Sequence, residues 1–409
     1  MTLSLLDLTT ALTQVQTQVR EYAWQLTCGE KTSAALTMMG NAISQRQNDI
    51  LEANTLDLEV SRDMAVPELV VDWLKLTPER VQITAEIFHR LAALGAVGSI
   101  AKECEVGSIS TRSRPIGVIG FIYEAFPDLG AIAAALSIRT GNALVLRGGG
   151  EASKTNQIVA SILQEALVEV GLSEQLILSV EPTDVSRIEV AQCSDIDLII
   201  THGRPSLVEQ IVQSASVPVI PSRMGNCYLY WAASGSLDQV HRMIVESHSG
   251  TPDAVNRVEK VLVHESHSDN LLTRLWNRLQ EGGFEIKADR AIAEKHGLAI
   301  AESLDWGSAY LKNTVAFKTV KDSKEAIRWI NTHSSGHADS IATSDYTDSR
   351  LFTARCSSAS LYINTSPKFV RNTVRIEEIA LGVSEHKGIT GGLISMATMR
   401  EQQRVFHGS

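Results

Sequence analysis

The run Pro115-Ile116-Gly117-Val118-Ile119-Gly120-Phe121-Ile122 is continuously apolar, and it decides the fold class. Four more apolar runs follow at intervals that each leave room for a helix, at residues 142–146, 176–180, 196–200 and 217–220. Near-continuous apolar strands joined by helical segments indicate a parallel sheet covered on both faces. We therefore predict an α/β fold with a doubly wound parallel sheet.

A second alternating series begins at residues 228–231 and predicts a second α/β domain. Its later strands are predicted at residues 258–263, 315–320, 340–343 and 360–364. No Gly/Ser-rich or Pro-rich linker marks a boundary. We place the first domain at residues 1–228 and 366–409, and the second at 229–365. The last 45 residues are expected to return to the first domain or to reach a neighbouring subunit.

Residues 1 to about 100 are predicted to be mainly helical. Thr77 is a good N-cap with Pro78 at the first helical position, and Gly95 is a plausible stop. The apolar residues between them recur near helical spacing at Val81, Phe88 and Leu91.

The bulk composition excludes several classes of protein. The chain has 409 residues, of which 44% are hydrophobic, and a formal net charge of −10. An acidic chain without a basic block has no electrostatic footprint for nucleic acid or an anionic membrane. The first basic residue is Arg20, so we expect no signal peptide and a cytoplasmic location. The cysteines are widely spaced and are expected to be reduced, buried thiols: Cys28, Cys104, Cys193, Cys227 and Cys356.

Several segments together resemble gamma-glutamyl phosphate reductase, a family of the aldehyde dehydrogenase superfamily. Residues 114–124 (RPIGVIGFIYE) are similar to its P-[IL]-G-V-I-G-V-I-Y-E run, and residues 141–149 (GNALVLRGG) to its G-N-A-V-I-L-R-G-G. Residues 217–220 and 225–227 resemble I-P-V-I and G-V-C, and residues 305–311 resemble D-W-x-T-E-Y-L. The resemblance implies a cofactor domain, a catalytic domain and an oligomerisation element.

The family's reaction is the NADPH-dependent reduction of L-glutamyl 5-phosphate to glutamate 5-semialdehyde, a step of proline biosynthesis. In that reaction a cysteine thiolate displaces phosphate from the acyl phosphate and forms a thioester, which hydride from the nicotinamide then reduces. The resemblance therefore implies NADP(H) as the cofactor.

This chain departs from the family at the catalytic positions. The family's R-P-S-T-C-N-T-V-E corresponds to residues 251–259 (TPDAVNRVE), so Val255 stands at the nucleophile position, with Asn256 beside it. A valine cannot form a covalent intermediate. The family's R-P-N becomes Phe126-Pro127-Asp128. Asp128, at the oxyanion-donor position, would repel an oxyanion if ionised, or would serve as an ordinary helix N-cap.

The cofactor positions have changed as well. The family's R-G-G-K-E corresponds to residues 147–151, where Gly150 replaces the lysine. This turn either binds a phosphate through its backbone N–H groups or is an ordinary connection between a strand and a helix. Ala309 replaces a family glutamate that resembles the residue binding the nicotinamide ribose. In the turn after residue 203, Pro205 has no backbone N–H and so removes one hydrogen-bond donor. The residues that remain for cofactor binding are Arg147, Gly148, Gly149, Glu151, Gly203 and Gly225.

Other chemistry has weak support. Cys227 is read as a buried small hydrophobe or, less favourably, as a substitute nucleophile. No metal site is predicted, although His264 and His267 are three residues apart. Three arginines suggest a small anionic ligand or are simply exposed charges: Arg204, Arg223 and Arg257.

Three functions remain open. A non-catalytic binding or regulatory protein is favoured, acting as a homo-oligomer (dimer or tetramer) or with an active paralogue. An active divergent NADP-dependent reductase is the second. A new activity in the same cleft, with Asp128, Asp253 or Arg257 in new roles, is the third.

Overall fold

The computed structural model describes residues 9, 10, 12, 30–94, 109–250, 255–384 and 391–406. The α-helices are α1 Glu30–Gln45, α2 Gln47–Asp63, α3 Glu68–Leu74, α4 Pro78–Ala93, α5 Pro127–Thr140, α6 Ser153–Glu169, α7 Arg187–Ala191, α8 Pro205–Ser214, α9 Leu237–Ser247, α10 Asp269–Glu281, α11 Arg290–His296, α12 Ser323–His333 and α13 Tyr346–Arg355. The strands are β1 Ile109–Pro115, β2 Val118–Tyr123, β3 Ala143–Arg147, β4 Ile177–Ser179, β5 Leu198–Gly203, β6 Val219–Arg223, β7 Cys227–Trp231, β8 Val258–His264, β9 Glu285–Ala288, β10 Ala299–Ile300, β11 Thr314–Val320, β12 Ala338–Ala342, β13 Ser360–Ile363, β14 Ala380–Ser384, β15 Gly392–Ser395 and β16 Arg400–Phe406.

The chain divides into two compact units. The first comprises Met1–Ser222, Arg371–Gly382 and Leu393–Ser409, and the second comprises Arg223–Val370 and Val383–Gly392. The domain boundaries drawn from the sequence, after residues 228 and 365, lie six and five residues from two of these divisions, and they placed Val383–Gly392 in the first domain instead of the second. Neither β7 nor the segment after β13 has the Gly-, Ser- or Pro-rich composition of a linker, so the sequence does not mark the boundary. The contacts of both segments place them in the second unit.

The first unit is built on a five-stranded sheet of order β4-β3-β2-β5-β6. Strand β2 pairs in parallel with β3 and with β5, and β3 pairs in parallel with β4. Every residue of β2, β3 and β5 is buried, as their apolar runs predict, and burial extends to Arg147 at the end of β3 and to Thr201 and His202 in β5. The order reverses between β2 and β5, which is the doubly wound arrangement.

The N-terminal helices pack on this unit as predicted. Thr77 caps α4, since its side chain accepts the Arg80 N–H at 3.3 Å and Pro78 opens the helix. Val81, Phe88 and Leu91 are buried. The helix ends with Leu94 as its C-cap, and Gly95 lies outside the described residues.

Much of the end of the chain belongs to the first unit, as one of the two expectations has it, although Val383–Gly392 belongs to the second. Strand β16 pairs antiparallel with β1 along seven residues, from Ile109 opposite Phe406 to Pro115 opposite Arg400. Asn142 anchors this region, because its amide donates to the Met399 carbonyl at 2.8 Å.

The second unit has a seven-stranded sheet of order β10-β9-β11-β8-β7-β12-β13. All its neighbouring pairs are parallel. The second α/β series was therefore predicted with the right strands at 228–231, 258–263, 315–320, 340–343 and 360–364, while β9 and β10 were missed. Those two strands have only four and two residues, which leaves little periodicity to detect.

Candidate functional site

Val255 lies three residues before β8, and it is fully buried. Its carbonyl oxygen accepts the Gly225 N–H and pairs with Nε2 of His337, each at 2.9 Å. Burial lowers the pKa of His337 to about 4, so the ring is neutral and Nε2 can donate. The position that resembles the family nucleophile therefore holds an inert, buried side chain, and two hydrogen bonds to its backbone carbonyl hold the main chain there.

Gly225 belongs to this hydrogen-bonded cluster in the second unit. A Cβ on Gly225 would lie 2.2 Å from Nε2 of His337 and 2.5 Å from the Val255 carbonyl oxygen. The other five predicted cofactor residues lie in the first unit. Gly225 is thus explained by close packing around Val255.

Asn256 and Arg257 continue the buried segment. Asn256 is buried, and its amide donates to the Pro367 carbonyl at 2.9 Å. Burial lowers the pKa of Arg257, against the opposing influence of Glu259. Asp253, which the sequence offered for a new role, lies outside the described residues.

Cys227 is the thiol nearest in the sequence to Val255. It is fully buried, and burial raises its pKa well above the usual value. Its Sγ lies 3.6 Å from Nε2 of His337, the nitrogen that already pairs with Val255. Because the thiolate is the reactive form, this thiol is inert at neutral pH, as the reading of Cys227 as a small hydrophobe requires.

The other described cysteines do not supply a nucleophile either. Burial is the main reason why the pKa values of the Cys193 and Cys356 thiols are raised, so both thiols are protonated at neutral pH. Cys28 and Cys104 lie outside the described residues.

Asp128 is not the N-cap that was considered for it. Helix α5 begins at Pro127, with Phe126 in the N-cap position, so Asp128 sits inside the first turn. Its two carboxylate oxygens bind the Arg80 guanidinium, with Nε–Oδ2 at 3.2 Å and Nη2–Oδ1 at 2.5 Å. Both side chains are largely buried, with 13% and 12% exposed. Asp128 is therefore committed to a bidentate ion pair.

The turn between β3 and α6 holds four of the predicted cofactor residues. Arg147 is buried, and its Nε donates to the Val185 carbonyl at 2.8 Å, while Nη1 donates to the Gly148 carbonyl. Burial lowers the pKa of Arg147 to about 10. This guanidinium holds the backbone around the turn and is not directed at a ligand phosphate.

Two glycines allow this turn to close. A Cβ on Gly148 would lie 2.2 Å from Nδ2 of Asn156, and a Cβ on Gly149 would lie 1.9 Å from Oε1 of Glu151. The Glu151 carboxylate thus lies across Gly149, and its Oε1 accepts the Ala125 N–H at 2.7 Å. Ala125 has a φ of 58°, a strained conformation that this hydrogen bond helps to hold.

Asp57, which sequence reasoning missed, caps the helix that follows the turn. This buried carboxylate from α2 accepts the N–H groups of Lys154 and Thr155, at 3.1 and 2.8 Å. It also accepts the Thr155 hydroxyl at 2.6 Å. The amino end of α6, a natural anion site, is therefore filled by a carboxylate of the chain itself. The only signal in the sequence was an acidic residue between apolar ones in α2.

Gly203 and Arg204 end β5 beside a second buried carboxylate. Gly203 has a φ of 153°, and a Cβ there would lie 3.1 Å from Cβ of Glu124. Arg204 binds Glu124 through its backbone N–H at 3.2 Å and through its guanidinium Nε at 3.0 Å. Glu124 is 4% exposed. Of the three arginines proposed for an anionic ligand, Arg204 is thus paired with the protein's own carboxylate.

The segment around Ala309 is held by two side chains of β8. Glu259 accepts the backbone N–H groups of Tyr310 and Leu311, at 2.5 and 2.9 Å. Lys260 donates to the Ser308 carbonyl at 3.2 Å and lies 3.7 Å from the Tyr310 ring centroid. Burial raises the pKa of Glu259 and lowers that of Lys260, so each depends on the other for its charge. Neither Glu259 nor Lys260 was among the site residues predicted from the sequence.

No described histidine joins a metal site. His264 pairs with the Ser266 hydroxyl, while His267 pairs with the Ala232 carbonyl at 3.0 Å. Among the described residues, no group of three or more His, Cys, Asp or Glu side chains could hold a metal ion. Over the same residues, no helix is both long and apolar enough to cross a membrane.

The residues that were predicted to bind a dinucleotide fit only part of one. The Ala125 N–H after β2 already binds Glu151, and the Lys154 and Thr155 N–H groups at the start of α6 already bind Asp57. The turn therefore offers carboxylate oxygens, which suit ribose hydroxyl groups and disfavour a phosphate. No step of a reaction can be assigned to this turn.

Comparison with known proteins agrees with the resemblance. Residues 6–293 match the Aldehyde dehydrogenase family. The chain is 42% identical to gamma-glutamyl phosphate reductase 2 of Synechocystis sp., over 93% of this chain and 92% of that protein. It is 34% identical to gamma-glutamyl phosphate reductase of Gloeobacter violaceus, over 92% and 91% of the two chains.

Solved structures give the same answer for the fold. The crystal structure of gamma-glutamyl phosphate reductase from Thermotoga maritima has a TM-score of 0.85 and 27% identity, covering 97% of this chain and 98% of that one. An acetylating aldehyde dehydrogenase from Geobacillus thermoglucosidasius shares the fold, with a TM-score of 0.68 and 18% identity over 97% and 98% of the chains. The chain therefore belongs to the gamma-glutamyl phosphate reductase family of the aldehyde dehydrogenases.

Proposed function

We propose that this chain is a family member that does not carry out the covalent reductase step and acts instead as a binding or regulatory protein. The observation that carries the proposal is the buried, hydrogen-bonded valine at position 255. The family step requires a thiolate there, and the nearest thiol, Cys227, is buried and protonated.

The supporting positions favour the same conclusion. Asp128 brings a carboxylate, paired with Arg80, where the family keeps an amide donor for an oxyanion. Ala309 has no group that could hold a nicotinamide ribose. Once the nucleophile is lost, further losses of this kind cost little activity, because such residues act as a unit.

The first experiment is an assay of the purified protein with an acyl phosphate and either NADH or NADPH. The relative from Gloeobacter violaceus that is named gamma-glutamyl phosphate reductase serves as the positive control. We expect no acyl-phosphate-dependent oxidation of the cofactor by this chain. Measurable turnover, or a protein thioester seen by mass spectrometry, would reject the proposal.

A matched set of variants tests how far the site has changed. Val255→Cys restores the thiol alone, and Val255→Cys/Asp128→Asn/Ala309→Glu restores three positions. We expect no thioester in the single variant, because a thiol in this buried place has a raised pKa. Full activity in the single variant would show that only the nucleophile had been lost.

The partner can be tested by mixing. We propose that the chain binds an active, cysteine-bearing paralogue, and that binding changes the activity of that paralogue. Purified paralogue should co-migrate with this chain in size-exclusion chromatography and show an altered kcat or KM. Independent elution with unchanged kinetics would exclude this form of regulation.

A further inference from the structure

Helix α2 is held against the first unit by polar side chains on its inner face. The Asn54 side chain donates to the Leu74 carbonyl and accepts the Leu76 N–H, each at 2.9 Å. Asp57, three residues later, accepts the N–H groups at the start of α6. Both side chains are buried. These contacts fix the rotation of α2 about its axis, so the face that it turns to solvent is also fixed.

The outward face of α2 carries a stripe of three apolar side chains. Leu56, Val60 and Met64 recur at intervals of four residues, so they lie on successive turns along one side of the helix. Their exposed fractions are 43%, 45% and 73%. A single exposed apolar side chain is ordinary, whereas three on successive turns form a continuous surface. We refer to these three residues as the α2 stripe.

The end of the helix holds the last member of the stripe in place. Met64 is the C-cap of α2. After it, the Ala65 N–H donates to the Arg62 carbonyl at 3.1 Å, and the Val66 N–H donates to the Ser61 carbonyl at 3.0 Å. Ala65 adopts a left-handed φ of 53°, and the two bonds form a Schellman motif. Met64 is therefore presented to solvent by an ordered turn.

Exposed carboxylates border the α2 stripe. Glu52 lies four residues before Leu56 and Glu59 lies three residues after it, while Asp63 lies three residues after Val60. Residues three or four apart are neighbours on a helix surface, so each carboxylate lies beside an apolar side chain of the stripe. The outward face of α2 thus combines apolar surface with negative charge.

Cations beside α2 do not neutralise this border. Arg46 binds two carboxylates outside the border, each at an N–O distance of 3.0 Å. Arg62 is exposed, but it lies two residues from Val60 and two from Met64, so it does not share their side of the helix. Lys154, exposed at the start of α6, is a single cation against the three bordering carboxylates.

A second copy of the chain does not suit this surface. In a two-fold contact the same patch meets itself, so the bordering carboxylates of two copies would face each other across the apolar stripe. Like charges placed together in an interface disfavour binding. The charge instead complements a partner that carries lysine or arginine beside its own apolar side chains.

We propose that the α2 stripe and its bordering carboxylates bind a basic amphipathic helix of a partner protein. The apolar side chains of that helix cover the stripe, and its cations pair with the bordering carboxylates. This inference rests on the proposed function as a binding protein, and it names the chemistry of that protein's partner.

The test is fluorescence anisotropy of the full chain with a labelled synthetic peptide of about 18 residues, long enough to form a helix. The peptide has leucine at alternating spacings of three and four residues, with lysine beside each leucine. A second peptide has glutamate in place of every lysine. The lysine peptide should bind at least about tenfold more tightly than the glutamate peptide, and added salt should weaken its binding. Equal binding of the two peptides, or no binding of either, would overturn the inference.

Variants of the stripe test whether the peptide binds there. Leu56→Ser/Val60→Ser should weaken binding of the lysine peptide by about tenfold, because it removes apolar surface that the peptide covers. Val212→Ser, at a 41% exposed site on α8, is the matched control and should leave the affinity unchanged. An unchanged affinity in the double variant, with a circular dichroism spectrum like that of wild type, would contradict the proposal.

Charge reversal separates this site from general attraction to an acidic chain. Glu59→Lys should weaken binding of the lysine peptide by about tenfold, because it reverses one bordering charge. Glu281→Lys makes the same change at an exposed position on α10, and it should alter the affinity by no more than about twofold. Equal losses in the two variants would show that the peptide responds only to net charge and would reject the site.

The remaining outcomes separate this inference from its alternatives. If the wild-type protein is an oligomer that dissociates in Leu56→Ser/Val60→Ser, the stripe belongs to a second copy and the inference is overturned. Acyl-phosphate turnover would reject the non-catalytic function, while peptide binding that depends on the stripe would still establish the surface. Absence of peptide binding would reject the surface alone, since the buried Val255 still accounts for a missing covalent step.

Discussion

At Asp128 and Val255, residues that depart from the family pattern have acquired partners within the protein. Asp128 pairs with Arg80, and the carbonyl of Val255 binds Gly225 and His337. From the sequence, a carboxylate at the oxyanion position is expected to repel the oxyanion. In the folded protein this carboxylate forms a bidentate ion pair with Arg80. The chemistry of these positions was therefore replaced by internal contacts that stabilise the protein.

The Arg80–Asp128 pair should contribute measurably to stability. Asp128→Asn should lower the free energy of unfolding by about 2 kcal/mol, because it leaves a largely buried guanidinium without its counter-charge. A double-mutant cycle with Arg80→Gln in urea should give a coupling of about 1–2 kcal/mol. Additive effects of the two substitutions would show that the pair is not an energetic unit.

His337 should make stability depend on pH. Its pKa in the folded protein is about 4, below the ordinary value of 6.5, because the ring is buried with Arg223 nearby. The unfolded chain therefore binds more protons between pH 6.5 and 4, and stability falls as the pH drops through that window.

The measurement is urea unfolding from pH 7 to pH 4, comparing wild type with His337→Gln. Glutamine can still donate to the Val255 carbonyl, but it does not titrate. As the pH falls within the window, the free energy of unfolding of the variant should decrease by up to about 1.4 kcal/mol less per pH unit than that of wild type. Asp339, whose pKa is raised to about 6 by burial, acts in the opposite sense in both proteins and cancels in the comparison. Identical pH profiles would show that His337 is not buried as a neutral ring.

At the scale of secondary-structure elements, α6 depends on a cap from a distant helix. Asp57 of α2 binds two N–H groups and one hydroxyl at its amino end. Asp57→Ala should lower the free energy of unfolding by about 2–3 kcal/mol, because it removes three hydrogen bonds and the charge at the positive end of the helix dipole.

Glu59→Ala is the matched control, since it removes an exposed carboxylate from the same helix. Glu59→Ala should change the free energy of unfolding by no more than about 0.5 kcal/mol in the same urea titration. If the two variants lose equal stability, Asp57 is not a cap of special value.

Elements with strong local patterns were the ones predicted correctly. Strand β2 is a continuous apolar run, β3 and β5 begin with one, and the Thr77-Pro78 pair marks the start of α4. The β1–β16 ribbon was missed, because its sequences ISTRSRP and REQQRVF are polar and partly exposed. Such strands are defined by their partner, which lies almost 300 residues away in the chain.

At the scale of the whole molecule, we propose a homo-oligomer, dimer or tetramer. Among the described residues the β1–β16 ribbon is a two-stranded sheet, so each strand has one edge without a strand partner there. Phe406 on this ribbon is 66% exposed. An apolar side chain beside open strand edges favours contact with another chain.

Sedimentation velocity should give a multiple of the monomer mass. Phe406→Glu should shift the protein towards monomer, because it places a charge on the proposed interface. Leu304→Glu, at an 81% exposed site in the second unit, is the control and should leave the mass unchanged. A wild-type protein that sediments as a monomer would refute the proposal.

The sequence by itself determined the fold class and the family, and it places a valine at the position that resembles the family's nucleophile. Those conclusions rest on covalent identity and on local patterns: apolar runs, the motifs at 114–124 and 141–149, and a valine at position 255. Only the tertiary structure decided what the altered positions do. Asp57 meets α6, Arg80 meets Asp128, and Glu151 closes over Gly149 because folding brings distant segments together. Hydrogen bonds and burial depend on that proximity in space, which no spacing along one chain records.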